Sequence, residues 1–283
     1  MEPAARLTGA MSPAREDLVR TGRRGINLRS AALPALTFGV AAVVLLAWQF
    51  LPPAFGVPRY IIPTVTDLVS EMGLMWRQDD LLANFVSTTA YASLGFVLGS
   101  LLGAVIGYTL GLSPLLEKVF SPYILALQIA PKVAFAPLFI LWFGYNALPK
   151  LTVTILIVFF PILVNVLQSM RTADRDLVNL ARAYNMSRAQ IFWKVLFPSS
   201  MPSLMAGLRI GATLAVIGIT VGELVGGQTG LGYLITYGEG QADTAMVFDA
   251  IFLLTVLGAL LYWVVAAIEA RVLHYIPKSS VRP

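Results

Sequence analysis

The residues able to do chemistry in this chain are few, and the most informative ones sit inside apolar stretches. Lys132 follows Pro131 in the middle of a long hydrophobic run, with Gln128 one helical turn before it. Exposing an ammonium to lipid at such a depth costs several kcal/mol, so it needs a cavity, a polar partner or a route to the interface. Two readings stay open: a cation on a translocation path, meeting an anionic or carbonyl-bearing solute, or a side chain that snorkels from a displaced helix. Glu223 precedes Gly226, Gly227, Gly230 and Gly232. Such a cluster makes either a re-entrant turn that gates a path or a plain surface turn. Asp249 is expected at an interface, and Tyr145 and Asn146 are further polar groups along the same route. This is the chemistry of holding and passing charge. Bond-breaking chemistry has no carrier: there is no Gly-x-x-x-x-Gly-Lys-Ser/Thr loop, no His-Glu-x-x-His motif and no Gly-x-Ser-x-Gly elbow. With no cysteine and one histidine, His274, in a basic tail, no metal site or cofactor is expected.

The elements that must position these groups are membrane helices. The 283 residues are 57% hydrophobic and 12% charged, with mean hydropathy +0.76, whereas a soluble domain is about a quarter charged. Runs of about 20 apolar residues suffice to cross a bilayer. Six are predicted: 33–50, closed by Pro52 and Pro53; 87–110; 120–144, interrupted at Pro131-Lys132; 151–170; 203–225; and 246–268. Lysine and arginine divide fifteen to three between the two sides, so the positive-inside rule places both termini in the cytoplasm. That asymmetry also accounts for the pI of 9.6 without nucleic acid. Lys150 is counted among the three external charges. The first span is expected to be retained, since it lacks the short core and cleavage site of a signal peptide. Residues 64–80, with Leu68, Met72 and Met75 on one stripe, are expected to form an external interfacial helix.

Residues 171–200 form a polar, basic island that falls on the cytoplasmic side. Leu177, Leu180, Ala181 and Tyr184 recur at i, i+3, i+4 and i+7, one apolar stripe of a helix. Ser187 and Gln190 match a capping box for a second short helix carrying Ile191 and Val195. An amphipathic pair held in the cytoplasm by a membrane protein is a surface offered to another protein. In the second span, Gly95, Gly99, Gly103, Gly107 and Gly111 recur every fourth residue. They make a bare ridge for close helix packing, either within the chain or as a sliding surface between rocking halves.

The island resembles the cytoplasmic loop of ATP-binding-cassette importer permeases, whose pattern is Glu-Ala-Ala, three residues, Gly, nine residues, then Ile-x-Leu-Pro. Here the alignment runs Asn179-Leu180-Ala181, Asn185 and Val195-Leu196-Phe197-Pro198. Asn179 stands where the family has glutamate and Asn185 where it has glycine. Asn185 remains able to adopt the left-handed conformation that ends a helix. PKVAFAPLFILWFGYNALPK (131–150) and GELVGGQTGLGYLI (222–235) look like the nitrate/sulfonate/taurine branch, near the permeases for thiamine-precursor pyrimidines or riboflavin.

The resemblance implies an all-α integral membrane protein with the six-helix type I importer fold. Residues 1–30 would be a cytoplasmic tail, 31–271 the permease domain with its coupling loop at 171–200, and 272–283 a second cytoplasmic tail. Leu177, Asn179, Leu180, Ala181, Tyr184, Asn185 and Pro198 would dock an ATP-binding-cassette ATPase, and Gln128, Lys132 and Glu223 would line the path. The implied partners are ATPase subunits, a second permease copy (homodimer over heterodimer), an external substrate-binding protein and the lipid of a bacterial inner membrane. The competing class is an ATP-independent secondary carrier or channel. The sparse acidic groups within the spans argue against it.

Overall fold

The computed structural model of the chain describes residues 26–275, with side chains from residue 36 onward. Most of both charged tails, including Arg6 to Arg24 and Lys278 and Arg282, lies outside these residues. Every regular element among the described residues is helical. Five of these helices are long and apolar enough to cross a membrane, and six spans result if one bent pair counts as one. The chain divides at Thr66 and Asp67 into two compact units.

The first unit contains α1 (Ile26–Ala54). Pro52 and Pro53 fall inside its last turn, where they were expected to follow the helix. The turn closes over them because the amides of Phe55, Gly56 and Val57 bond back to the carbonyls of Leu51, Pro53 and Pro52. The connector then folds onto the helix end: the Trp48 indole donates to the Pro63 carbonyl at 3.0 Å. The Gln49 side chain donates to the Thr66 hydroxyl and accepts its backbone N–H, both at 3.1 Å.

Across the division runs α2 (Val65–Gln78). The second unit continues through α3 (Leu81–Gly111), α4 (Pro114–Ile129), a 3-10 turn (Lys132–Phe135), α5 (Ala136–Phe143), α6 (Ala147–Arg171), α7 (Arg175–Ala183), α8 (Arg188–Ile191), a π-helical turn (Phe192–Leu196), α9 (Phe197–Gly226), α10 (Leu231–Gly240) and α11 (Thr244–Val272). At the centre lies α6, its Val153, Val158, Ile162, Leu163 and Val166 fully or almost fully buried. It packs against two glycine-lined helices that also touch each other. The α3 ridge at Gly95, Gly99, Gly103, Gly107 and Gly111 lies against Thr154, Val158, Ile162, Val166 and Met170; a methyl on Gly103 would come within 2.6 Å of the Phe159 carbonyl oxygen. Gly207, Gly211, Gly218 and Gly222 of α9 face Asn165, Ile162, Thr154 and Lys150 of α6. Contact at backbone distance with both helices makes α3, α6 and α9 one packed slab.

Two hydrophobic clusters pack around this slab. One joins Met75, Leu81, Leu231, Leu234, Met246 and Leu257 of α2, α3, α10 and α11. The stripe of α2 expected at a lipid interface packs here instead: Met75 is 0% exposed and Met72 lies against the same cluster. The other joins Tyr108, Val158, Ile162, Val166 and Ala215, with Phe192 and Phe197 packed against it.

Two features depart from the expected spans. The third hydrophobic stretch bends by 80° between α4 and the segment Lys132–Phe143. Pro131 forces this, because its ring drives the preceding Ala130 out of the helical region, to ψ 137°. The fifth span and the second island helix, expected as separate elements, run on as one rod, Arg188–Gly226, of 39 residues. At 1.5 Å per residue that rod is about 58 Å long, well beyond a hydrocarbon core of about 30 Å.

Candidate docking surface and translocation path

The island forms two short helices with local chemistry sufficient to hold them. The Asp174 carboxylate caps α7 by accepting the Asp176 N–H at 2.8 Å. At the other end Asn185 adopts φ +56°, the Asn185 N–H bonds to the Arg182 carbonyl and the Met186 N–H to the Ala181 carbonyl. This pairing is a Schellman motif, which lets asparagine serve where the related loops carry glycine. The capping box of α8 forms, with Ser187 N–H donating to Gln190 and Gln190 N–H to the Ser187 hydroxyl. Ala181 faces inward, 5% exposed, while Leu177, Leu180 and Tyr184 stand 48%, 54% and 76% exposed. Asn179 and Asn185 are exposed beside them. A cavity of about 410 Å³ opens here, lined by these apolar side chains together with Lys194, Pro198 and Tyr275.

Halfway along the slab, the Lys132 ammonium donates to the Gln128 carbonyl at 2.6 Å and sits 4.7 Å from the centre of the Phe160 ring. Phe160 is near the middle of α6, so the Lys132 ammonium lies level with the middle of that helix. The lysine therefore caps the broken end of α4 and shields its charge on an aromatic face. The Gln128 side chain is exposed.

Glu223 occupies a different environment, fully buried at the end of the bundle away from the island. Its carboxylate accepts the Thr88 hydroxyl at 3.0 Å and the Gly232 N–H at 3.0 Å, and pairs with the Lys150 ammonium at 3.5 Å. The Lys150 ammonium also lies over the Tyr91 ring at 4.4 Å. Thr88 accepts the Leu231 N–H at 2.8 Å, and Asn84 accepts the Gly230 N–H at 2.7 Å. Gly230 has φ +114° and lies against the carboxylate, so a side chain there would collide with Glu223. The glycine turn is thus pinned to α3 directly and linked through Glu223 to α6. In this conformation Glu223 faces protein on every side.

Comparison with known proteins fits this architecture. Residues 95–274 match the family model of the binding-protein-dependent transport system inner membrane component. The chain belongs to that family. Among its relatives, the riboflavin transport system permease protein RibX of Chloroflexus aurantiacus is 34% identical over 265 residues, covering 91% of this chain and 97% of the relative. The formylaminopyrimidine transport permease protein ThiX of Halalkalibacterium halodurans is 32% identical, covering 83% and 92%. The putative aliphatic sulfonates transport permease protein SsuC of Bacillus subtilis is 31% identical, covering 83% and 85%. The fold is shared with a chain of the MetNI methionine ABC transporter in an inward-facing conformation, at TM-score 0.60 and 21% identity, over 71% of this chain and 98% of that one.

Three features of this permease escaped the sequence. Lys150, counted as an external loop charge, is 6% exposed and lies in the first turn of α6; nothing local marks it as the partner of Glu223. Asp249, expected at a solvated interface, is 3% exposed, and its Oδ2 has no hydrogen-bond partner. Arg209 of α9 pairs with Glu269 of α11 at 3.1 Å. Its complement was legible only as an acid at the far end of another helix.

Proposed function

We propose that this permease is the membrane-spanning subunit of an ATP-driven importer, carrying a small organic solute received from an external binding protein and coupled to a separate ATPase through residues 171–200. The observation that carries this reading is the exposed stripe of Leu177, Leu180 and Tyr184 on a helix capped at both ends. Apolar side chains held out on a rigid helix suit a groove in a partner, with the flanking Arg175, Asp176 and Arg182 setting register. Pro198 and Asn185 border the same surface.

The island end would be cytoplasmic and the Glu223 end external, in a bacterial inner membrane with both termini in the cytoplasm. Two copies of the chain would enclose the path, since α4 buries no residue within its own chain. Gln128 and Lys132, at the break in the third span, would meet the solute near mid-membrane. Glu223 would act by keeping the external glycine turn closed, not by touching solute. Closure of the ATPase dimer around ATP would push the island and tip the slab between inward-open and outward-open states.

Co-purification with its ATPase subunit tests this. Leu180→Asp and Tyr184→Asp are expected to abolish the complex while the permease still accumulates in the membrane. A complex that survives both substitutions, or solute flux through vesicles holding the permease alone, would overturn the reading.

A further inference from the structure

The junction between the island and the fifth span has an unusual construction. The rod from α8 into α9 is α-helical except at Phe192–Leu196, where the Phe197 N–H bonds to the Phe192 carbonyl five residues back. Pro198 has no N–H for the Lys194 carbonyl, so the regular ladder cannot continue there. A π-helical turn is one register step from an α-helix and is a place where a rod can yield.

Immediately beyond it, two tyrosines from distant elements grip the first turn of α9. Tyr108 of α3 is 9% exposed and shares a hydrogen bond of 2.8 Å with the Ser200 hydroxyl. Ser200 commits its own hydrogen to the Phe197 carbonyl at 2.8 Å, so Tyr108 is the donor. The Tyr108 ring also packs edge-on against Phe192, with centroids 5.5 Å apart, and against Phe197 at 5.7 Å. Beyond the end of α11, the Tyr275 hydroxyl donates to the Pro198 carbonyl at 2.7 Å. That carbonyl is free because its usual partner four residues on is Pro202, which has no N–H. The Tyr275 contact therefore satisfies a carbonyl that the helix itself leaves unpaired.

We propose that Tyr108 and Tyr275 are positioning residues that hold the first turn of α9 as a fulcrum, so that displacement of the island turns the span instead of being absorbed by the π-helical turn. The inference rests on the importer reading above. The chain contains no cysteine, so one introduced as Gln228→Cys in the exposed α9–α10 turn reports on the far end of the rod. The test uses the assembled permease–ATPase complex in lipid vesicles and follows the rate at which a membrane-impermeant maleimide labels the permease band, with ADP and with ATP plus vanadate. The parent is expected to label at two different rates. Tyr108→Phe, Ser200→Ala and Tyr275→Phe are each expected to shrink that difference about fivefold, and for Tyr108→Phe and Ser200→Ala, which lie outside the docking surface, ATP hydrolysis stays within about twofold. Ser200→Ala removes the same bond without touching the tyrosine packing, which guards against a folding defect of Tyr108→Phe. Full retention of the difference in the variants overturns this inference alone, as does a fall in hydrolysis parallel to the fall in response. Absence of any nucleotide-dependent difference in the parent overturns the importer reading and this inference with it.

Discussion

Lys150 and Glu223 form an ion pair of 3.5 Å with only 7% and 0% of their side chains exposed. The pair ties α6 to α9, and through Thr88 and the Gly232 N–H it ties both to α3 and the start of α10. Burying two charges costs several kcal/mol each, so the arrangement is tolerated only because the carboxylate is saturated with donors.

Removing one partner is therefore worse than removing both charges. Lys150→Met leaves a buried carboxylate without its cation and is expected to destabilise the permease by about 3–5 kcal/mol. Lys150→Met combined with Glu223→Gln keeps an acceptor for Thr88 and Gly232 in a neutral site, and is expected to cost less than Lys150→Met alone. Unfolding midpoints in detergent for the two variants check the order; a double variant less stable than the single one would refute it.

The glycine ridges permit a sharper comparison, because glycine is costly in a helix and only close packing offsets that cost. At Gly103 an added Cβ would meet backbone 2.6 Å away, whereas at Gly73 in α2 nothing lies within 4 Å. Gly103→Ala is expected to lose roughly 1–3 kcal/mol through overpacking, and Gly73→Ala to gain about 0.5–1 kcal/mol through helix propensity. Thermal denaturation of both variants decides it: equal effects at the two positions would mean that α3 and α6 do not touch at backbone distance.

Glu71 of α2 supplies a pH dependence. Partial burial, then the charges of Asp243 and Asp79, raise its pKa above the ordinary 4.5. The folded protein holds this proton more tightly than the unfolded chain does, so the contribution runs against the usual carboxylate trend. Stability from this group is fully present below pH 4.5 and is lost as pH rises through the raised folded value. Glu71→Gln is expected to flatten the fall in unfolding midpoint as pH rises above 4.5. The parent and the variant are compared by the difference of their pH profiles, and parallel profiles would contradict the assignment.

The sequence by itself determined what depends on neighbours a few residues apart. The spans, the Ser187–Gln190 capping box and the exposed stripe at Leu177, Leu180 and Tyr184 all follow from hydrophobic length and i, i+3, i+4 spacing, which the chain carries in one dimension. Asn185 at φ +56° belongs here too, because the ending of a helix is a local event. Tertiary structure alone decided which distant groups meet. Pro131 announced a break, but only packing against α6 put the Lys132 ammonium over Phe160 at 4.7 Å. The α3 ridge was readable from its period. Its counterpart at Gly207, Gly211, Gly218 and Gly222 was not, for its meaning comes from the helix it faces. Lys150 and Glu223 read as two unrelated charges until α6 and α9 were laid side by side, because an ion pair between helices is written in neither of them.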